Sequence, residues 1–235
     1  DELMNWLQQW SALSLDELLR YGYCNEEYDA LRHLLRVACG VDSMAIGEPQ
    51  ILGQLKQAYR TGETLGVVGS RFSQLFPAVF SMAKTIRHES ELGKNPVSIA
   101  YALVQLAKRV FSELSGCSVL LVGRGEMIEL VATHLQQHQV KRLVLATRSP
   151  EKAVDFAERV GAHVIPIGDL PLHLGEADIV ISATASQLPL IGKGMVESAL
   201  KKRRFQPMLL VDIAVPRDVE AQVGDLSGAY LYSVD

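Results

Sequence analysis

Apolar residues in the first hundred positions recur every three or four residues, the spacing of one face of an α-helix. Ser14 stands three residues before Glu17, and this pair predicts a capping box at the start of a short helix. The longer predicted helices cover residues 26–40, 47–66 and 70–93. We expect the last of them to bend or restart at Pro77. The first carries an apolar stripe of Tyr28, Leu31, Leu34, Leu35 and Ala38, and Gly40 is a natural stop for it.

The pattern changes after Gly116, where short apolar runs rich in β-branched residues alternate with helical stretches. The predicted strands are 118–123, 142–147, 163–167, 178–184, 208–214 and 229–234. Runs that are apolar at nearly every position indicate a parallel sheet covered on both faces. We therefore predict an α/β chain with a Rossmann-like, doubly wound parallel sheet that follows a mostly helical part.

The segment GKNPVS at 93–98 is the best candidate for a domain boundary, because Gly, Asn and Pro favour turns. We predict one domain over residues 1–95 and a second over 96–235. The second begins with a helix capped by Ser98.

Composition excludes several classes of protein. Hydrophobic residues make up 48% of the chain and charged residues 21%, which rules out a disordered chain. No apolar run approaches the ~18–20 residues that span a bilayer, and the first ten residues do not look like a signal peptide. We expect a cytoplasmic protein with no membrane partner. The three cysteines have no metal-ligand spacing, so no metal is expected, and the net charge of -4 leaves only local basic patches to hold phosphate.

A glycine-rich turn connects the first predicted strand with a helix. Its residues are Gly123, Arg124, Gly125, Glu126, Met127 and Ile128. The pattern resembles the GxGxxG turn of dinucleotide sites, in which the first two glycines permit a tight turn and close approach to a pyrophosphate. Ile128 replaces the third glycine, so we expect a wider spacing of helix and strand. The turn predicts a nucleotide site; the alternative is a tight turn without a ligand.

The end of the second predicted strand distinguishes NAD from NADP. NAD sites place Asp or Glu there to hold the ribose 2′-hydroxyl. Here the strand ends in Arg148 and Ser149, with Lys152 one turn later and no acid at the strand end. Because Arg148 can stack on adenine and pair with a 2′-phosphate, we predict NADPH as the cofactor. The alternative is an exposed basic helix start.

Two later loops, at 183–186 and 212–214, are expected to face the nicotinamide, since ligands lie beyond the carboxyl ends of parallel strands. Asp212 is either a site group or merely a helix cap or turn former, and the sequence leaves both open. Four cations at 201–204 either contact RNA phosphates or form a solvated helix end, which is the commoner arrangement.

Three parts of the chain together resemble glutamyl-tRNA reductase of the bacterial type. They are HLLRVACGVDSMAIGEPQILGQLKQAY, GRGEMIELVATHL, and the run from SATASQLPLIGKGMVESAL through PMLLVDIAVPRDVE to AYLYSVD. The resemblance covers essentially the whole chain. It implies reduction of glutamyl-tRNA(Glu) to glutamate-1-semialdehyde with NADPH, the first step of tetrapyrrole (haem) biosynthesis. It also implies that the helical part belongs to a catalytic α+β domain.

The resemblance implies partners as well. They are tRNA(Glu) charged with glutamate, a second copy of the chain that dimerises through a C-terminal domain, and, as a further candidate, glutamate-1-semialdehyde aminomutase.

The same resemblance implies site residues in the helical part. His33 matches a histidine that is functionally important in the family, and it lies about 200° from Leu31 on the predicted helix, off the apolar stripe. By its pattern alone such a histidine is usually just solvated. The residues that match substrate-contact positions are Ser43, Glu48, Pro49, Gln50 and Gln54. Gln50 and Gln54 share a helix face that is either a binding face for a glutamyl group or a solvated polar face.

The chain departs from the family pattern in three ways. The nucleophilic cysteine of the family lies in a CNRTE-like motif upstream of HLLRV, and no such motif is present. Cys24, nine residues before His33, is interpreted as a coincidental match. The chain also stops where the family continues into its dimerisation domain, so we expect an inactive internal piece that relies on a cysteine from outside it. Arg124 stands where the family usually has a small residue.

Two other functions remain open. One is an NADP-dependent small-molecule dehydrogenase like the shikimate dehydrogenases, although residues 25–60 do not resemble the substrate half of that class. The other is a chain that keeps nucleotide and partner surfaces without catalysis.

Overall fold

The structure is a computed structural model that describes residues 2–11, 13–43, 47–90 and 99–234. The chain divides into two compact units, Asp1–Ser98 and Ile99–Asp235. The predicted boundary in the 93–98 segment, and the predicted cap at Ser98, lie outside the described residues. Within the described ranges, no helix is long and apolar enough to cross a membrane.

Helices build the described part of the first unit. They are α1 (Glu2–Ser11), α2 (Leu15–Tyr21), α3 (Glu27–Cys39), α4 (Pro49–Thr64) and α5 (Ser70–Glu89). The predicted capping box is confirmed, because the Ser14 hydroxyl accepts the N–H of Glu17 and the Ser14 N–H donates to the Glu17 carboxylate at 2.9 Å. Gly40 ends α3 with a φ of 74°, a left-handed conformation that glycine adopts without strain.

A small core lies among α3, α4 and α5. Its fully buried members are Ala38, Cys39, Leu52, Val79 and Ala83. Most of the predicted α3 stripe packs against it, but Tyr28 is 74% exposed, because it lies in the first turn of α3 before the helix reaches the core. α5 continues through Pro77, so the alternative of a restart there is wrong. A proline removes one helical hydrogen bond, and the buried residues that follow it keep the helix on the core.

The second unit alternates strands with helices. Its strands are β1 (Ser118–Val122), β2 (Arg142–Thr147), β3 (His163–Pro166), β4 (Ile179–Ser182), β5 (Met208–Asp212) and β6 (Ala229–Ser233). Its α-helices are α6 (Ile99–Val110), α7 (Glu126–Gln137), α8 (Val154–Val160), α9 (Leu170–His173) and α10 (Lys193–Lys202). Short 3₁₀ turns occur at Pro150–Lys152, Ile167–Asp169, Leu174–Glu176 and Ala221–Asp225. All six predicted strands are present.

The six strands form one parallel sheet in the order β3-β2-β1-β4-β5-β6. In β1 to β5, successive residues point into different cores. Leu121 and Ile181 belong to the core that α6, α7 and α8 cover, whereas Leu120 and Val180 belong to the core that α9 and α10 cover. The predicted doubly wound parallel sheet is therefore confirmed. The strand order reverses between β1 and β4, which places a ligand crevice at their carboxyl ends.

A partly buried ion pair holds the sheet at the amino ends of its strands. Nη2 of Arg203, just after α10, lies 2.7 Å from Oδ1 of Asp178. The other carboxylate oxygen of Asp178 accepts the N–H of Ser118 at 2.8 Å. Arg203 thus ties the end of α10 to the starts of β1 and β4. It is not available to RNA, so the phosphate-contact alternative for the 201–204 run is wrong at this position.

Candidate functional site

A cleft of about 440 Å³ opens at the carboxyl ends of β1, β2 and β4 in the second unit. The predicted cofactor residues that line it are Gly123, Arg124, Gly125, Arg148 and Ser149. The loop after β4, at residues 183–185, forms another part of its wall. The volume falls in the range of ~300–1,000 Å³ that is usual for small-molecule sites. We call this space the nucleotide cleft.

Gly123 lets β1 turn tightly into the nucleotide cleft. Its φ is 117°, and a β-carbon built there would lie 2.4 Å from the carbonyl oxygen of Ala183. The strand therefore passes the loop after β4 at a distance that only glycine allows. Gly125 differs, because a β-carbon there would meet nothing within 4 Å. Gly125 begins α7 without a side-chain cap, so the first N–H groups of that helix are left for an anion or for solvent.

The end of β2 supplies the cationic side of the nucleotide cleft. Thr147 is buried and its hydroxyl accepts the N–H of Ser149 at 3.4 Å, while Arg148 is exposed. No carboxylate ends the strand. This donor set suits a 2′-phosphate better than an unmodified ribose. Together with the glycine turn and the uncapped helix start, it fits a dinucleotide that carries that phosphate.

The other predicted cofactor residues do not line the nucleotide cleft. Glu126 is exposed in the first turn of α7, and Lys152 is exposed in the 3₁₀ turn after β2. Met127 is partly buried against the core, and Ile128 is completely buried within it. The residue in place of the third glycine therefore fills core space beneath α7.

Asp212 at the end of β5 is 1% exposed, and its carboxylate accepts hydrogen bonds from groups inside the protein. One oxygen accepts the Ser182 hydroxyl at 3.2 Å and the N–H of Ala214 at 3.0 Å. The other accepts the N–H of Val219 at 2.8 Å. Of the two alternatives for Asp212, these contacts support the turn former.

Asp218 holds the loop that lines the nucleotide cleft. Its carboxylate accepts the N–H of Thr184 at 2.9 Å and also the Thr184 hydroxyl. Burial raises the pKa of Asp218, and the bonds from Thr184 oppose the rise. A raised pKa means that the folded state holds this proton more tightly than the unfolded state does. Asp218 therefore stabilises the folded state fully at pH values below the ordinary aspartate pKa. This stabilisation is lost as the pH rises through the pKa that Asp218 has in the folded protein.

His33 lies in a polar cluster on α3 of the first unit. Its Nδ1 is 3.3 Å from Oδ2 of Asp42, and its Nε2 is 2.9 Å from the Tyr23 hydroxyl. Arg36 donates to both carboxylate oxygens of Asp42, and this bond is the main reason that the pKa of Asp42 is lowered. The His33 side chain is 33% exposed and borders a cavity of about 330 Å³. Both ring nitrogens are held while the ring remains accessible.

The loop between α3 and α4 carries two of the predicted substrate residues. The Ser43 hydroxyl donates to the Glu48 carboxylate at 3.1 Å. Arg87 of α5 donates to the carbonyl oxygens of Cys39, Gly47 and Glu48 at 2.9–3.2 Å. Arg87 thereby fixes both ends of the loop, of which residues 44–46 lie outside the described ranges.

The remaining predicted substrate residues lie at the start of α4. Pro49 is its first residue, Gln50 is half-buried, and Gln54 is exposed one turn later. In the part of the chain that the structure describes, no side-chain hydrogen bond joins either glutamine to His33, Ser43 or Glu48. The structure brings Ser43 and Glu48 together and places Asp42, the neighbour of Ser43, on His33.

Several residues of these sites escaped the sequence analysis. Asp42 and Tyr23 hold His33, Arg87 holds the loop, and Asp218 holds Thr184. Their partners lie 9–48 residues away along the chain, and no local pattern marks such pairs. The one available signal is an acid directly before Ser43.

The three cysteines are free thiols in different surroundings. Cys24 is exposed, whereas Cys39 and Cys117 are buried. Burial raises the pKa of both buried thiols, which opposes formation of a nucleophilic thiolate.

Comparison with known proteins gives consistent matches for both units. Residues 1–90 match the family described as Glutamyl-tRNAGlu reductase, N-terminal domain, and residues 105–235 match Shikimate / quinate 5-dehydrogenase. Over its 235 residues the chain is 54% identical to a glutamyl-tRNA reductase of Ectopseudomonas mendocina and 52% identical to one of Pseudomonas aeruginosa. It covers 55% and 56% of these proteins, and so spans about half the length of the curated relatives it matches.

A solved structure shows the same relationship. Glutamyl-tRNA reductase from Methanopyrus kandleri matches with a TM-score of 0.57 and 37% sequence identity. The match covers 90% of this chain and 53% of that one.

Proposed function

Because this chain belongs to the glutamyl-tRNA reductase family, we propose that it serves the NADPH-dependent reduction of glutamyl-tRNA(Glu) to glutamate-1-semialdehyde, the first step of tetrapyrrole biosynthesis. The observation that carries the proposal is the nucleotide cleft, whose donor set fits NADPH, in the same chain as a helical unit with an oriented histidine. When bound, NADPH would supply the hydride that reduces an activated glutamyl group.

The proposed cofactor residues divide by the part of NADPH they would hold. The N–H groups at the start of α7, after Gly125, would bind the pyrophosphate, and Gly123 keeps the backbone close enough for this. Arg148 and Ser149 would bind the 2′-phosphate, with Lys152 adding positive charge one turn away. Arg124 adds positive charge beside the phosphate path.

His33 is the proposed catalytic residue of the helical unit. The Asp42 carboxylate accepts from Nδ1, so the neutral ring keeps its lone pair on Nε2. Nε2 is the atom that would face substrate, and the Tyr23 hydroxyl now occupies that position at 2.9 Å. We propose that Nε2 polarises the substrate carbonyl or holds a proton there. Residues proposed to bind the glutamyl group are Ser43, Glu48, Pro49, Gln50 and Gln54.

The proposed chemistry needs a cysteine thiolate that attacks the aminoacyl ester. The attack forms an enzyme thioester and releases the tRNA hydroxyl as the leaving group. Cys39 and Cys117 are buried, and the segment around Cys24 does not match the family's nucleophile motif. We therefore propose that the nucleophile lies outside these 235 residues and that this chain alone is inactive. We further propose a cytoplasmic homodimer that hands its product to glutamate-1-semialdehyde aminomutase.

The match of residues 105–235 favours one second candidate, an NADP-dependent dehydrogenase of the shikimate type. The helical unit argues against it, because residues 1–90 match the other family. Assays of shikimate oxidation would test this alternative, and we expect no turnover.

The experiment that tests the proposed function is a product assay. A full-length protein that contains this chain is incubated with glutamyl-tRNA(Glu) and either NADPH or NADH, and glutamate-1-semialdehyde is measured. We expect product with NADPH from the full-length protein and none from the 235-residue chain. Failure of the full-length protein to form product would refute the proposed function. Product from the chain alone that is lost in Cys24→Ser would instead identify Cys24 as the nucleophile.

A further inference from the structure

A second cleft in the first unit, of about 400 Å³, lies between α4 and α5. Lys56 and Arg60 stand one turn apart on α4, and Lys84 reaches the cleft from α5. None of its lining residues is shared with the cavity beside His33. We call it the α4–α5 cleft.

The three cations of the α4–α5 cleft have no carboxylate partner among the described residues. The acid that lines the cleft, Glu63, is engaged by the Tyr59 phenol, whose pKa is raised by burial and then by the hydrogen bond to Glu63. Lys56, Arg60 and Lys84 therefore present their charge to whatever enters the cleft.

The positive charges of Arg60 and Lys84 act on Lys56. Burial lowers the pKa of this ammonium group, and the positive charges of Lys84 and Arg60 lower it further. Its Nζ lies 5.8 Å from the centre of the Phe80 ring, so an aromatic face is its main close attraction. An anion between the two helices would relieve the repulsion among the cations.

Two aromatic residues, Tyr59 and Phe80, line the α4–α5 cleft, and Phe76 packs against both of them. The ring of Tyr59 lies 5.2 Å from that of Phe76 and 5.7 Å from that of Phe80, and Phe76 and Phe80 are 5.8 Å apart. The Phe80 ring thus supports Lys56, and the apolar faces of the rings lower the local dielectric on one side of the cleft, which strengthens the attraction of an anion.

The size and charge of the α4–α5 cleft suit a polyanion better than a single phosphate ion. The chain as a whole has a net charge of -4, so the basic cleft is a local feature and not part of a general excess of cations. Cations beside aromatic rings are typical of grooves that follow a nucleic-acid backbone.

We propose that the α4–α5 cleft binds the phosphodiester backbone of RNA. The proposal rests on the proposed function only for the identity of that RNA, which would be tRNA(Glu). The contact is made to phosphates, so it does not depend on base sequence.

The test compares two charge-matched variants of the 235-residue chain. One carries Lys56→Gln, Arg60→Gln and Lys84→Gln. The control carries Lys108→Gln, Arg109→Gln and Lys141→Gln, which remove the same charge from exposed positions of the second unit. Fluorescence anisotropy measures the affinity for uncharged tRNA(Glu) and for an unrelated RNA of equal length between about 50 and 200 mM salt.

We expect the native chain to bind both RNAs and the cleft variant to bind both roughly 10- to 100-fold more weakly. The slope of log K against log salt should fall by about 2–3 in the cleft variant, and by less than 1 in the control. Circular dichroism melting confirms that each variant is folded. A Lys84→Arg variant keeps the charge and should retain binding, which guards against a merely structural effect.

Several outcomes would overturn the proposal. The first is an equal RNA affinity of the native chain and the cleft variant, and the second is that the native chain binds neither RNA. The third is that the cleft variant loses affinity for a poly-glutamate peptide while its affinity for RNA equals that of the native chain. The last would assign the cleft to an acidic protein segment. RNA binding that depends on the cleft, in a protein that forms no glutamate-1-semialdehyde, would support the cleft while refuting the proposed function.

Discussion

Gly123 is the residue of the nucleotide cleft at which adding a single methyl group should have the largest effect on stability and NADPH binding. In Gly123→Ala the new β-carbon would lie 2.4 Å from the carbonyl oxygen of Ala183 and 3.1 Å from its carbonyl carbon. Both are backbone atoms, so no side-chain rotation removes the clash. The φ of 117° is also a conformation that an L-residue adopts only with strain, at a cost of about 1–3 kcal/mol.

The clash cannot be relieved without loss of hydrogen bonds. Gly123 donates to the carbonyl of Ala146 at 2.9 Å, and Ala183 donates to the carbonyl of Val122 at 2.9 Å. Separating the turn from the loop stretches one or both bonds, each of which contributes about 1 kcal/mol. We therefore expect Gly123→Ala to destabilise the second unit by about 2–4 kcal/mol in total.

Thermal unfolding measures this effect. For a unit of this size, the loss corresponds to a fall in Tm of roughly 6–15 °C. Titration with NADPH at a temperature where the variant is still folded should show binding at least about tenfold weaker, because the phosphate-binding turn is displaced.

Gly125→Ala is the matched control. A β-carbon there meets nothing within 4 Å, so stability should change by less than about 1 kcal/mol. The methyl group would nevertheless stand where the backbone must approach a pyrophosphate, and NADPH binding should weaken. A Gly123→Ala chain that melts within about 2 °C of the native chain, or equal destabilisation by both substitutions, would refute the reasoning.

Three further predictions concern single side chains. Arg148→Ala should remove a preference for NADPH over NADH of roughly 10- to 100-fold, with NADH binding nearly unchanged, whereas Lys202→Ala should preserve it; equal affinity of the native chain for both cofactors would contradict this. Asp218→Asn should abolish the part of the stability that declines as the pH rises above the ordinary aspartate value, and urea unfolding at several pH values measures it. In the full-length protein, His33→Ala should lower turnover by ~10²–10⁴-fold and change the free energy of unfolding by less than ~0.5 kcal/mol. The neighbouring Leu34→Ala, which removes a core side chain, should instead lower the free energy of unfolding by ~2–3 kcal/mol. Near-normal turnover of the His33 variant would show that the ring is structural.

The sheet could be predicted because each strand carries its own signal. Leu120 and Leu121 are both apolar because neighbouring positions of a strand face different cores, and a sheet with two covered faces needs both. At Pro77 the sequence left open either a bend or a restart, and the structure excludes the restart. A proline signal is local, whereas continuation of α5 depends on packing by residues of α3 and α4 that are distant in sequence.

The candidate sites divide in the same way. Gly123 and Arg148 could be proposed as cofactor residues because a strand, a tight turn and a helix follow each other directly in sequence, and both residues line the nucleotide cleft. Asp42 and Arg87 were missed because their roles depend on contacts across the fold; Arg87 reaches the carbonyl of Cys39, 48 residues away. The chemistry of the nucleotide cleft was therefore more predictable than the support of His33.

The cations of this chain show most directly a property that sequence alone does not determine, namely whether a cation is available to an anionic ligand. Arg203 belongs to a basic run that looks suited to phosphate, yet Asp178 meets it in the interior. Arg36 is likewise held by Asp42. Arg148 and the three cations of the α4–α5 cleft have no carboxylate partner within the described residues. The charge of an arginine or lysine is identical in each case, so its availability to an anionic ligand depends on where the fold places the carboxylates. Because that placement is decided by contacts across many residues, a phosphate-binding cation can be proposed from sequence but identified only in the folded chain.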